Sequence, residues 1–589
     1  MLFVGVLLCG LLLVMCALPA QAQGKSNMPG NPWPATDALG RELPLASEVG
    51  PPRKDRFVGI FYFLWHDNPD IASPYWPGPY DVSRILQKDP DALRKPDSPY
   101  WGPIGMFHYW GEPLYGYYHG ADPWVLRRHA HLLAEAGVDV LIFDTTNALT
   151  YRPIYMRLCE VFRQVRKEGG RTPQITFMVN TQARETAEKI YNELYRPGLY
   201  RELWFHWRGK PLMICDPEQA TPELRRFFTL RRAHWPFTMV NTPYAWHWEA
   251  TYPQPYGYTE DPGRPEQVNV SVAQNLRISD GRVTNMSSGE ARGRSFHDGR
   301  VDRAPDAVLY GYNFQEQWKR ALELDPPFVM VTGWNEWIAG RWGEPGGPLV
   351  FVDQFDQEHS RDIEPMKGGH GDNYYYQLVA NVRRYKGAAP LPRPSGLRTI
   401  QIDADFQQWR SVRPEFRSTF GESVPRDHVG IGGPHYTDRT GRNDIVACKV
   451  AQDATHIYFY VRTAEPITPH TDPNWMWLLI DTDKDPRNGW EGFDFIVNYT
   501  VQSADTTWLE RSIGGWQWER VAPVRYRAEG REMHLAIPRA ALGLPEGRKH
   551  VRIDFKWIDN AQRPGDIMDC YVSGDAAPPG RFRYRYATD

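Results

Sequence analysis

ADPWVLRRHAHLLAEAGVDVLIFD, residues 121–144, holds one helix and one buried strand in immediate succession. Asp122 and Pro123 are suited to the N-cap and the first helical position. Apolar residues then recur at helical spacing until Gly137, a C-terminal stop. VDVLIFD follows as an unbroken apolar run, which fits a strand covered on both faces, and it ends on Asp144.

The same unit recurs on either side. FVGIFYFLW (57–65), IGMFHYW (104–110), QITFMVN (174–180), FTMVN (237–241), VNVSVA (268–273) and FVMVTGWNEW (328–337) are expected strands. LWFHWRGKPLMICD (203–216) is expected to hold a strand pair around Arg208-Gly209. Helices are expected at 153–168, 183–195, 221–234, 313–324 and 372–386. Strands alternating with amphipathic helices imply a parallel sheet, and about eight such units favour a closed (β/α)8 TIM-like barrel over 56–386. There is no GxGxxG or Walker loop, so a nucleotide-binding fold has no support.

GAAPLPRPSGLR (387–398) is a Pro/Gly-rich linker. Beyond it, in 399–589, DIVACKVAQ, THIYFYVRT, WMWLLIDTD, FDFIVNYTV, MHLAIPRAAL and VRIDFKWID alternate in twos, as strands of an all-β sandwich do. At the other end, residues 1–22 carry an apolar run and an A-x-A site at 20–22, the marks of a removable signal peptide, and 23–55 form a leader. No later apolar run is long enough to span a bilayer, so the expected mature protein is secreted or periplasmic, without membrane insertion. A net charge of −3 disfavours nucleic acid as a partner. Cys159, Cys215, Cys448 and Cys570 share no metal-ligand spacing; Cys448 and Cys570 pair, or all four are buried thiols.

Composition points to sugar. The chain has 23 Trp and 31 Tyr, many in Gly/Pro/His-rich loops, and aromatic faces stack on pyranose rings. In a barrel the active site lies at the strand C-termini, where Asp144 and Glu336 both fall. Glycosidic cleavage uses two carboxyl groups, one to protonate the leaving oxygen and one as nucleophile or base. Asp144 has a competing role as a helix cap, and Glu336 as a structural ion pair. Trp334, Asn335 and Trp337 around Glu336 are expected to form a sugar subsite. His108, Tyr109 and Asn180 at strand ends, and Trp246 within the aromatic stretch 244–258, are further expected substrate contacts. The stretch 359–378, with Arg361, Asp362, Glu364 and His370, is expected to line the mouth or hold a cation.

Three segments together resemble glycoside hydrolase families 71 and 99, the endo-α-mannanase and endomannosidase barrels. They are FVGIFYFLWH, the His108-Tyr109 to Asp144 region, and VTGWNEW. The resemblance implies a glycosidase acting on a poly- or oligosaccharide without a catalytic cofactor. It departs at one point. In the endomannosidase family Asn-Glu-Trp is followed by His-Glu, whereas here Ile338-Ala339 follow, as Glu344, Asp353, Asp356 and Glu358 are out of register. Glu336 matches the first Glu of the motif, and its partner is expected to be Asp144. The rival class is a non-catalytic carbohydrate-binding protein on a degenerate barrel. A metal-dependent esterase has less support, since no His/Asp metal cluster is visible.

The C-terminal region resembles the family 9 carbohydrate-binding modules through DFQQW (405–409), DATHIYFYVRTAE (453–465) and WLLIDTDKDPRNGWEGFDF (477–495). Trp475, Trp490, Trp516 and Trp518 are the candidate platforms. Asp481, Asp483 and Asp485, followed by Asn488 and Glu491, have spacing that suits a structural calcium or an acidic turn.

Overall fold

The computed structural model describes residues 30–588 apart from 68, 239, 419–420, 422, 545 and 548–549. The expected signal peptide at 1–22 lies outside the described residues.

Eight parallel strands form the first domain: β1 (Phe57–Tyr62), β2 (Val140–Thr145), β3 (Gln174–Val179), β4 (Lys210–Ile214), β5 (Thr229–His234), β6 (Ala245–His247), β7 (Gln267–Ser271) and β8 (Phe328–Thr332). Their order is β6-β5-β4-β3-β2-β1-β8-β7. The remaining seam, between β6 and β7, is closed by a side chain. Gln267 Oε1 accepts from His247 N–H at 2.8 Å, and its Nε2 donates to the His247 carbonyl at 2.8 Å. This is a TIM-like barrel. Its lumen is packed with rings and aliphatic side chains, including Phe57, Phe61, Val140, Ile142, Met178, Trp207, Trp246 and Met330.

The decisive segment folds as its sequence dictates. Asp122 accepts from Trp124 N–H at 3.0 Å, α1 (Pro123–Ala136) follows, and Gly137 ends it at φ +79°, a left-handed conformation that suits glycine. Helices α2 (Arg152–Lys167), α3 (Ala183–Ile190), α4 (Pro222–Phe227), α5 (Tyr312–Leu324) and α6 (Asn373–Lys386) continue the pattern. Among the described residues no helix follows β5 or β6, and none is long and apolar enough to cross a membrane.

Three expected elements differ. The run 104–110 is not a barrel strand: Phe107–Tyr109 pairs antiparallel with Ile338–Trp342. Its apolar residues serve a small ladder beside the mouth rather than the barrel wall. The expected helix 221–234 splits into α4 and β5, and none of the described residues of 237–241 is in a strand. Arg231 and Arg232 interrupt the apolar signal of β5, and Arg231 is buried because Glu266 takes its guanidinium at 2.6 and 2.7 Å. The aromatic stretch 244–258 contains β6.

The second domain is all-β, built on an eleven-stranded antiparallel sheet that includes every expected strand. Two long strands, Thr506–Gly514 and Gln517–Glu529, join them; the first is buried only at Thr507, Leu509 and Glu510, and the second is largely exposed. The four described cysteines are unpaired, so Cys448 and Cys570 form no bridge. Cys448 sits in a buried strand, whereas Cys570 lies in a short helix packed toward the barrel.

The two domains share a core. Tyr571 and Phe582 of the second domain are buried among the barrel's apolar residues. Arg426 binds Asp122 at 2.8 Å, and Arg581 binds Asp372 at 2.8 Å. Trp33, in the leader, packs against Phe416 and Tyr584 at 5.5 and 5.0 Å between ring centroids.

Candidate active site

Strand alternation decides what reaches the mouth. Val140 and Ile142 face the lumen, so Asp144 does too, one layer higher. The same step places Asn180 above Met178, Trp248 above Trp246, Trp235 above Ala233 and Trp65 above Phe63. These residues form the C-terminal rim, where barrel chemistry is carried.

Asp144 is buried, with 7% of its surface exposed. Its Oδ1 accepts from Thr146 N–H at 3.1 Å and Thr146 Oγ1 at 2.8 Å, which turns the chain locally. Burial pushes its carboxyl up to about 6, and the charge of Asp353 adds to that. Asp353 is half-buried on the segment after β8, and burial raises it as well.

Glu336 lies four residues past β8 and is 3% exposed. Gln354 Nε2 and Arg361 Nε both donate to its Oε2, the latter at 3.1 Å, which leaves Oε1 for a substrate or water. Burial holds its carboxyl well above the usual range, opposed by Arg361 and reinforced by Asp353 and Asp362. Arg361 Nη1 also donates to Glu249 Oε2 at 3.1 Å. Glu249 follows β6 and is fully buried, with its carboxyl pushed up to about 7 by desolvation. Arg361 lies 4.8 Å over the ring of Trp248.

An aromatic band joins the two sides of this mouth through the buried lumen rings. Trp342 meets Phe107, Phe107 meets Trp65, and Trp65 stacks on Phe63. The band continues through Phe61 to Trp248, Trp235 and Phe237. Its two ends are open, with Trp342 47% and Phe237 65% exposed. Trp235 Nε1 donates to Asn180 Oδ1 at 2.8 Å, so Asn180 stands on the rim.

Asp144, Glu336 and Asn180 therefore sit at one end of the barrel, while the other expected contacts lie elsewhere. Trp246 is one layer down, bonded to Glu266 at 2.9 Å and packed on Phe328. Trp334 is buried against His129 and Tyr375. Trp337 stacks on Trp110 and donates to Glu364 at 2.6 Å. Asn335 binds the backbone of Phe63 at 2.9 and 3.2 Å, tying the motif to the end of β1. His108 is buried among Tyr80, Trp101 and Phe351, and Tyr109 is buried with its hydroxyl 3.3 Å from His66 Nδ1. Past β8 the chain leaves strand geometry; Glu336 meets Arg361 and Gln354, while Trp334 packs under His129 and Tyr375 and Trp337 onto Trp110.

In the second domain Trp475 and Trp490 are buried, whereas Trp516 and Trp518 are half-buried beside exposed Tyr499. Asp481 and Asp483 can share one cation with Asp494, which takes the place expected for Asp485. Asp485 is instead paired with Arg487 at 2.8 Å, and Arg583 already engages Asp481 at 2.7 Å.

No family model matches the chain, and no curated protein matches it. Two solved structures of a GH99 endo-alpha-mannosidase from Bacteroides thetaiotaomicron are similar to it. One, in complex with bis-tris-propane, is 14% identical and covers 56% of this chain and 97% of its own, with a TM-score of 0.32. The other is 15% identical and covers 57% and 99%, with a TM-score of 0.29.

Proposed function

We propose that the protein is a glycoside hydrolase that cleaves a poly- or oligosaccharide at the barrel mouth, with Glu336 as proton donor and Asp144 as its charged partner. The observation that carries this reading is the placement of two buried carboxyls, Asp144 and Glu336, at one end of the barrel, each within reach of the charge of Asp353. Glu336 stays protonated because it is desolvated. Asp144, at about 6, is largely ionised at neutral pH and can act as nucleophile or base. Sugar rings would stack on the open faces of the band, and Asn180 would accept or donate at a hydroxyl.

On the same reading the chain is exported through residues 1–22 and needs no cofactor for the chemistry. The second domain would be a family 9-like carbohydrate-binding module, with Trp516 and Trp518 as the accessible platforms. Its Asp481–Asp483–Asp494 cluster would hold a structural calcium. The test is digestion of a panel of purified polysaccharides by the wild type and by Asp144→Asn and Glu336→Gln. Release of reducing ends by the wild type and its loss in both variants supports the assignment. Polysaccharide binding with no release by the wild type would favour a binding protein instead.

A further inference from the structure

Arg361 brings one positive charge to two carboxylates. It is fully buried, and its Nη1 reaches Glu249 Oε2 at 3.1 Å while its Nε reaches Glu336 Oε2 at 3.1 Å. The Arg361 main chain is anchored beside the two acids as well. Gln354 Oε1 accepts from Arg361 N–H at 2.9 Å, and the same amide turns its Nε2 onto Glu336. Glu249 Oε1 is buried without a hydrogen-bond partner. Asp353 faces both glutamates, and Asp362 faces Glu336. One guanidinium cannot compensate two buried carboxylates, since an uncompensated buried charge is strongly disfavoured.

We propose that Glu249 is a positioning residue that holds Glu336 in its acid form by competing for the charge of Arg361. This rests on the reading of Glu336 as the proton donor. Without a competitor, an arginine this close favours the carboxylate, as a neighbouring cation does for any acid. With Glu249 drawing on the same guanidinium, Glu336 retains its proton, while Arg361 still stabilises the carboxylate left after the proton has gone. The arrangement gives an acid that is stocked at rest and easily discharged.

The experiment is infrared titration of the full-length protein. The carboxyl band of Glu336 is assigned by its loss in Glu336→Gln. In Glu249→Gln, Glu336 should ionise at a pH lower by about one unit or more, because Arg361 is now committed to it. Glu249→Asp keeps the charge and should restore most of the wild-type titration. An unmoved Glu336 titration in folded Glu249→Gln, or one that Glu249→Asp lowers as far as Glu249→Gln does, overturns the proposal. Because the bands are read without substrate, absence of hydrolysis would count against the hydrolase reading and not against the charge competition.

Discussion

Gln267 closes the barrel onto His247 by substituting a side-chain amide for a missing run of backbone ladder. Gln267→Met keeps the length and removes both bonds, leaving a buried N–H and carbonyl of His247 unpaired. The expected cost is about 2–4 kcal/mol, at about 1–3 kcal/mol for each orphaned group. A denaturant titration showing less than about 1 kcal/mol of loss would mean that the seam closes by other contacts.

Asp144 should trade stability for activity. Its folded value of about 6 lies above the unfolded value of about 3.9, so the folded state binds the extra proton between them. Stability from this group is therefore fullest below about pH 4 and declines as pH rises through about 6. Asp144→Asn should remove a penalty of about 2–3 kcal/mol at pH 8 while lowering turnover by about 100-fold or more. A variant that is both destabilised and active would reduce Asp144 to the local turn it makes with Thr146.

The pH profile should carry the same signature. Activity needs Asp144 ionised, so kcat/KM should fall as pH drops through about 6. The acid limb should vanish or move in Asp144→Asn if residual activity is measurable. A limb unchanged in that variant would assign it to another group, Glu249 at about 7 first among them.

Trp342 and Phe237 mark the two ends of the aromatic band. Trp342→Ala or Phe237→Ala should raise KM for a long polysaccharide about tenfold, equivalent to about 1.4 kcal/mol, with little change in kcat. Short oligosaccharides that do not reach the rims should be indifferent to either change. Equal effects on long and short substrates would place the band outside the binding path.

Phe582 joins the second domain to the barrel core. Phe582→Ala should cost about 3–5 kcal/mol, typical of a buried ring in a well-packed site. The loss should appear in one cooperative transition of the whole chain. Two transitions, with only the second domain's affected, would show that the shared core does not couple the domains. For the acidic loop, calcium should raise that melting temperature and a chelator lower it, as a ligand bound to the native state does.

Much of this was legible in the sequence, and the failures have physical causes. Residues 121–144 announced helix, cap, strand and rim carboxylate because each signal is local. β6 was hidden because it is three residues long and sits among aromatic residues that also suit a loop. Glu249 was hidden with it, since an acid two residues past an unseen strand has no register to be read from. Asp353 was set aside for falling outside a motif, yet the segment after β8 folds it back to the mouth. Trp334 and Trp337 looked like a sugar platform because sequence shows neighbours and not directions. Past a strand end no fixed alternation holds, and here the fold turns both rings into packed cores, Trp334 against Tyr375 and Trp337 against Trp110.

The shared core has a consequence for how two binding regions would combine. An irregular stretch such as 387–400 ordinarily acts as a tether, letting a captured chain drift past a catalytic centre at an effective concentration set by its slack. With Arg426 anchored on Asp122 and Arg581 on Asp372, that slack is gone. If both domains grip one polysaccharide, they do so at a single separation, like jaws on a fixed gauge. A polymer long enough to span it gains from both grips at once, and a shorter one gains from neither pairing, so chain length itself becomes a criterion of selection.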